Sequence, residues 1–259
     1  MTPENANQVT VALLMLSLIS VLAVAIFASF LGLIYVRRRG SLRLEIPPPP
    51  SRTDPSPARY RPNVFENACR WIVIKGGPVS AVQSALGLHN PVPCSWEEGL
   101  SHLTPQKLFI SPPVRGWIVV IGPGLPDPSE DVDRCFHLLM IMNRSIGPVQ
   151  FFSFNRALNH HAWAWAEAGQ IRRAYCWAGE TLWNQGEQTP AEDELGLRCV
   201  GYGEVPEPAD FGADDPGLST AEKVLALAGR WSIDPAAIDQ GALKLNQGIT
   251  GDVVPFKLH

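Results

Sequence analysis

Five cysteines and six histidines are the side chains of this 259-residue chain with the widest chemical reach. Cys69, Cys94, Cys135, Cys176 and Cys199 are dispersed, with no C-x-x-C pair. An odd, scattered set in a chain of this length argues against a disulfide framework and fits a reducing compartment. None of His89, His102, His137, His160, His161 and His259 belongs to an H-E-x-x-H motif or stands at finger spacing from cysteines, so no metal centre is expected. His160 and His161 are adjacent. On a strand they face opposite sides of a sheet and cannot both ligate one ion directly. The sequence has no G-x-x-x-x-G-K-[ST] loop and no G-x-S-x-G elbow. Gly122-Pro123-Gly124 lacks the third glycine of a dinucleotide loop and is stiffened by proline, so no cofactor is expected. One thiol stands in a suggestive place. Cys94 precedes Ser95 and Trp96 at a predicted helix start, where thiolates are favoured. Joined with His161 it would make a cysteine hydrolase, the alternative to a non-enzymatic reading. The acids Glu97-Glu98 and Glu192-Asp193-Glu194 lie at predicted helix starts, where solvent and the helix dipole account for them.

The most distinctive stretch is His160 to Glu180, HHAWAWAEAGQIRRAYCWAGE. Its strict alternation of small and large residues means a strand. A three-residue Glu167-Ala168-Gly169 loop, a type I turn closed by a left-handed glycine, would pair Ala166 with Gln170. That register puts Trp163, Trp165, Ile171, Arg173, Tyr175 and Trp177 on one face. The other carries Ala162, Ala164, Ala166, Arg172, Ala174 and Cys176. A two-residue loop would flip the parity of one strand and mix the faces. The aromatic slab suits a core. Trp163, Trp165, Arg173, Tyr175 and Trp177 are also residue types that dominate binding hot spots, so they are the candidate partner-binding set.

These residues need elements to hold them. Trp71 to Ile74, Lys107 to Ile110, Gly116 to Ile121 and Val149 to Phe154 read as strands, the first a continuous apolar run. Helices are predicted at 78–88, at 95–103 behind a Ser95/Glu98 capping box, and at 129–146 capped by Ser129. Two more are predicted at 189–195 behind a Thr189/Glu192 capping box, and from Ser219. Residues 205–215 read as an acidic loop, and 247–259 carry no strong signal. The sequon at Asn143 falls inside a predicted helix and is discounted as a glycosylation site.

Ahead of all this lies Val9 to Val36, VTVALLMLSLISVLAVAIFASFLGLIYV, without a charged residue. At 1.5 Å per residue it exceeds the ~30 Å that a hydrocarbon core requires. No basic residue precedes it, it is too long for a signal-peptide core, and Arg37, Arg38 and Arg39 follow it. A transmembrane anchor is therefore expected, in contact with the lipid bilayer. The arginine flank keeps the C-terminal part in the cytoplasm and the N-terminus outside. Ala25, Ser29, Ala28 and Gly32, at four-residue spacing, would let a second helix approach closely. Seven arginines stand against Glu45 and Asp54 in residues 37–62, and Ile46 to Pro62 holds seven prolines. This is a basic, stiff spacer. Residues 63–259 carry fourteen basic and twenty-two acidic side chains. Such a balance does not suit nucleic acid, whose binding needs basic patches.

The sequence thus predicts a tail (1–8), a transmembrane helix (9–36), a basic proline-rich linker (37–62) and a soluble α+β domain (63–259). That domain should have two layers, a mostly antiparallel sheet packed with helices. The expected role is a single-pass, membrane-anchored cytoplasmic subunit that binds another protein, such as a component of a membrane complex.

Overall fold

The computed structural model describes residues 63–204, 220–238 and 246–253, all within one compact unit, Ala58–His259. The anchor stretch, Arg37–Arg39, the candidate helix contacts and the linker fall outside the described residues, as do the 205–215 loop and the Ser219 cap. Among the described residues no helix is long and apolar enough to cross a membrane.

Nine strands form one sheet: β1 (Ala68–Lys75), β2 (His89–Cys94), β3 (Lys107–Ile110), β4 (Trp117–Ile121), β5 (Val149–Asn155), β6 (His160–Glu167), β7 (Gln170–Trp177), β8 (Thr181–Gln185) and β9 (Gly248–Asp252). Their order is β2-β9-β3-β4-β1-β5-β6-β7-β8, and every pairing between them is antiparallel. The helices are α1 (Val79–Leu86), α2 (Trp96–Ser101), α3 (Val132–Ile146), α4 (Pro190–Glu194) and α5 (Thr220–Trp231). The class is α+β with an antiparallel sheet.

The layering corrects the expectation of two layers. Trp71 and Val73 belong to one hydrophobic cluster with residues of α2 and α5, while Ile72 and Ile74 belong to another with residues of α1 and α3. Helices therefore cover both faces, giving three layers. The cause is visible in β1, apolar at successive positions and so in need of cover on each side. β5 is the same, buried over six of its seven residues.

The hairpin corrects the predicted loop. Glu167 pairs with Gln170, so the connection has two residues. Ala168 and Gly169 have φ of +51° and +76°, the sign a type I′ turn requires at both positions. The parity flip that this implies is undone at once. Trp165 pairs with Arg173 and Ala166 with Ile171, which leaves Arg172 as the extra residue of a bulge. Trp163, Tyr175 and Trp177 then share one cluster, and Ala162, Ala164, Ala166, Ala174 and Cys176 the other. Ile171 joins the alanine face, not the aromatic one. Asn143 of α3 ties the turn down. Its Oδ1 accepts from the Gly169 N–H at 2.7 Å and its amide donates to the carbonyls of Ala166 and Gly147, so the sequon side chain is used for structure.

The capping boxes predicted at Ser95/Glu98 and Thr189/Glu192 form, while the one predicted at Ser219/Glu222 lies partly outside the described residues. α3 starts three residues later than predicted. Asp131 caps it, while Ser129 donates to Asp127 in the preceding turn. Nothing in the local sequence predicts β2, β8 or β9.

Candidate functional site

β6 and β7 carry the large side chains of the aromatic face, and α4, α5 and the segment through Val200 close over them. Trp163, Arg173, Tyr175 and Trp177 are buried, and Trp165 is half-buried against Trp231 at 5.8 Å between ring centres. Four of the five candidate partner-binding side chains thus face the core.

At their centre lies an ion pair that joins β7 to α4. Arg173 is 2% exposed and Glu192 is fully buried. The Arg173 Nε donates to Glu192 Oε1 at 2.9 Å and Oε2 at 3.2 Å, and the Trp163 indole N–H donates to Oε1 at 2.7 Å. The Thr189 N–H and hydroxyl both donate to Oε2 at 2.7 Å. The Arg173 Nη1 reaches Asn184 Oδ1 at 2.8 Å and the Ala174 carbonyl at 3.1 Å, and Nη2 donates to Cys199 Sγ. A buried charge persists only when paired and hydrogen-bonded, and here both charges are. Glu192 closes a helix cap and neutralises Arg173 at the same time. The sequence does hold a signal for this, since an arginine between tryptophans on an apolar face demands a buried acid.

The candidate cysteine–histidine pair does not assemble. Cys94 ends β2 and His161 lies in β6, six places away in the sheet order, roughly 29 Å at ~4.8 Å per strand. Nor is the Cys94 thiol activated. Burial and the neighbouring Glu98 carboxylate raise its pKa, which corrects the expectation of a lowered value. Burial likewise pushes Cys176 and Cys199 up to about 12 and lifts Cys69 and Cys135 as well. Since the thiolate is the nucleophile, all five are poor ones. His161 is buried beside the rings of Trp163 and Tyr175, 5.8 and 6.0 Å from it, and its Nδ1 has no hydrogen-bond partner among the described residues. Burial holds its pKa down at about 4, so the imidazole is neutral near pH 7. Among the described residues no three His, Cys, Asp or Glu side chains gather closely enough to hold a metal ion.

The domain does have an open concavity. A cleft of about 550 Å³ is bounded by Cys69 and Arg70 of β1, Trp96 and Leu100 of α2, Pro123 after β4, and Phe154 of β5. Its volume is that of a small-molecule site, for which ~300–1,000 Å³ is usual. Two glycines shape it. A Cβ at Gly99 would lie 2.1 Å from the Phe109 ring, so only glycine lets α2 sit this low on the sheet. At Gly122, with φ of +149°, a Cβ would meet the Lys107 carbonyl at 2.5 Å. Arg70 bounds the cleft at β1, but its guanidinium turns to the other face of the sheet, that of Ile72 and Leu125. Its Nη1 donates to the Leu125 carbonyl at 3.0 Å and lies 3.5 Å from Asp127 Oδ2. Against known proteins, no family model, no curated protein and no solved structure matches this chain.

Proposed function

We propose that the chain is a membrane-tethered interaction subunit whose folded domain works by binding another protein in the cytoplasm rather than by catalysis. The observation that carries this reading is how the domain uses its buried polar groups. Arg173, Glu192, Trp163 and Thr189 saturate one another, and the five thiols are held as thiols by burial. Cys94 and His161, the nucleophile and base of the competing hydrolase reading, sit at different ends of the sheet. The sequence order supports the same conclusion. A 28-residue uncharged stretch, an arginine collar, a proline-rich spacer and an acidic domain make the organisation of a tether. An acidic domain stands off an anionic membrane surface, which leaves it available to a partner.

Cross-linking in intact cells tests the reading. The full-length chain should give a reproducible covalent adduct with a defined polypeptide, and the adduct should persist through purification in mild detergent. Recovery of the free chain alone, under several mild conditions, would overturn it. Protease added outside intact cells should leave the domain whole; its digestion would reverse the proposed orientation.

A further inference from the structure

We infer that the cleft between β1 and α2 seats the end of this chain's own basic linker, Arg59-Tyr60-Arg61-Pro62, with the Tyr60 ring between its apolar walls. This goes beyond the tether reading and does not depend on it, because it concerns only how the linker meets the folded unit.

The point of entry sets the occupant. Arg59 to Pro62 lie outside the described residues, which begin at the rim of the cleft. Val64 lines it and belongs to a single 3-10 turn, Asn63–Phe65. The buried Phe65 ring pins that turn, edge-on to Trp71 at 6.0 Å. Tyr60 stands four residues before Val64, within ~14 Å of it even along a fully extended chain. Pro62 fixes its own φ and biases Arg61 away from the helical region, so the segment arrives extended with little freedom left to lose. So short a connection holds Tyr60 beside the cleft at an effective concentration of about millimolar order.

The walls and the charge agree with that occupant. Trp96, Leu100 and Phe154 present apolar surface, and Trp96 is locked edge-on against Phe109 at 5.3 Å. Gly99 fixes the helix that carries it, so this wall is formed before anything enters. A tyrosine suits such a site, because its ring buries against the walls while its hydroxyl stays at the open mouth. With Arg70 turned to the other face, Glu97 is the charge that the lining presents at that mouth. Glu97 is exposed and makes no ion pair among the described residues. It favours a cationic occupant, and Arg59 and Arg61 flank Tyr60. The complementarity extends further. Residues 37–62 hold seven arginines against two acids, and residues 63–259 fourteen basic against twenty-two acidic side chains.

The test places a reporter thiol at Ser101→Cys, exposed on the cleft wall. The full-length chain is held one per phosphatidylcholine nanodisc, and alkylation by neutral N-ethylmaleimide is followed by peptide mass spectrometry. Tyr60→Ala should speed alkylation about tenfold, the factor for releasing a segment docked about nine-tenths of the time. Arg59→Gln with Arg61→Gln should speed it about two- to fivefold, the worth of an exposed ion pair. That gain should vanish in a Glu97→Gln background. A capped peptide of residues 57–62, added at millimolar concentration to the Tyr60→Ala chain, should slow alkylation again, and the same peptide with alanine for tyrosine should not. A thiol at Ser84→Cys, exposed on α1 over the opposite face of the sheet, should report no change throughout. The linker residues precede the first described element, so replacing them leaves the core intact. The proposal fails if Tyr60→Ala changes the rate by less than about twofold, if the two peptides act alike, if replacing the arginines leaves the rate unchanged, or if their effect persists without Glu97.

Discussion

Glu192→Gln is the substitution for which the structure sets the sharpest expectation. The carboxylate accepts from the Trp163 indole, the Arg173 Nε, the Thr189 amide and the Thr189 hydroxyl. Only the hydroxyl can turn to accept. A glutamine must point its NH2 at the Trp163 and Arg173 donors or at the Thr189 amide, and in both poses a donor meets a donor. Arg173 is then left buried with neutral acceptors alone, chiefly Asn184 Oδ1 and the Ala174 carbonyl. Removing one partner of a buried pair costs about 3–5 kcal/mol, against a total stability of ~5–15 kcal/mol for a typical domain. The assay is urea unfolding of the full-length chain in non-ionic detergent, followed by tryptophan fluorescence, with near-ultraviolet dichroism reporting on Trp163. Asp193→Asn, one residue on and exposed, should change stability by less than ~0.5 kcal/mol. Adding Arg173→Met to Glu192→Gln should recover part of the loss, because no uncompensated charge is then buried. A loss below about 1 kcal/mol for Glu192→Gln, or a double variant whose losses simply add, would refute the reasoning.

His161 makes stability fall in acid. Burial depresses its pKa from 6.5 to about 4, so between those values the unfolded chain binds the extra proton. Stability is full above pH 6.5 and is lost as the pH falls towards 4, by about 3 kcal/mol in all. Unfolding curves of the wild type and His161→Phe across pH 4–7 should diverge by that amount, and parallel curves would contradict it. Ala168→Asn should stabilise the domain by about 0.5–1 kcal/mol, because Ala168 holds φ of +51° and asparagine tolerates the left-handed region where alanine is strained; a rise in Tm checks it. Gly99→Ala should cost about 1–3 kcal/mol through overpacking against Phe109 and should shift Trp96 fluorescence. In the native domain all five thiols should resist an aromatic disulfide reagent at pH 8 and react only on unfolding, as their raised pKa values require.

Features written in nearest neighbours were legible in the sequence. The period-two run from Ala162 to Ala166 separated the tryptophan face from the alanine face. The Ser95/Glu98 and Thr189/Glu192 pairs marked two helix starts. Features that depend on distant partners were not. β2, HNPVPC, is an edge strand with two prolines, and it exists because β9 pairs with it. An edge is where prolines are tolerated, but nothing local announces the strand. β9, with glycines at both 248 and 251, is made in turn by β3 and β2 on its two sides; a Cβ at Gly248 would strike the Phe109 ring at 2.4 Å. Glu192 read as a solvent-facing acid because its cap was local and its guanidinium lay 19 residues upstream.

The bulge at Arg172 shows why such features escape local reading. A two-residue turn alone would have put Arg173 on the alanine face, under α3, where Cys135, Leu138 and Met142 offer no counter-charge. A three-residue loop would have avoided the flip but would not have placed Ala168 and Gly169 in the tight turn whose Gly169 N–H bonds to Asn143. Inserting Arg172 as the unpaired residue satisfies both demands. The turn stays tight, and Arg173 is re-aimed to the face where Glu192 waits. The rest of the hairpin edge conforms to that choice. A Cβ at Gly186 would fall 2.1 Å from the Arg172 carbonyl, so the chain leaving β8 passes over the bulge only because residue 186 has no side chain. Arg172, Gly186 and Glu192 are not adjacent in the sequence and are unremarkable one by one. Together they form a single device that delivers one buried positive charge to its partner.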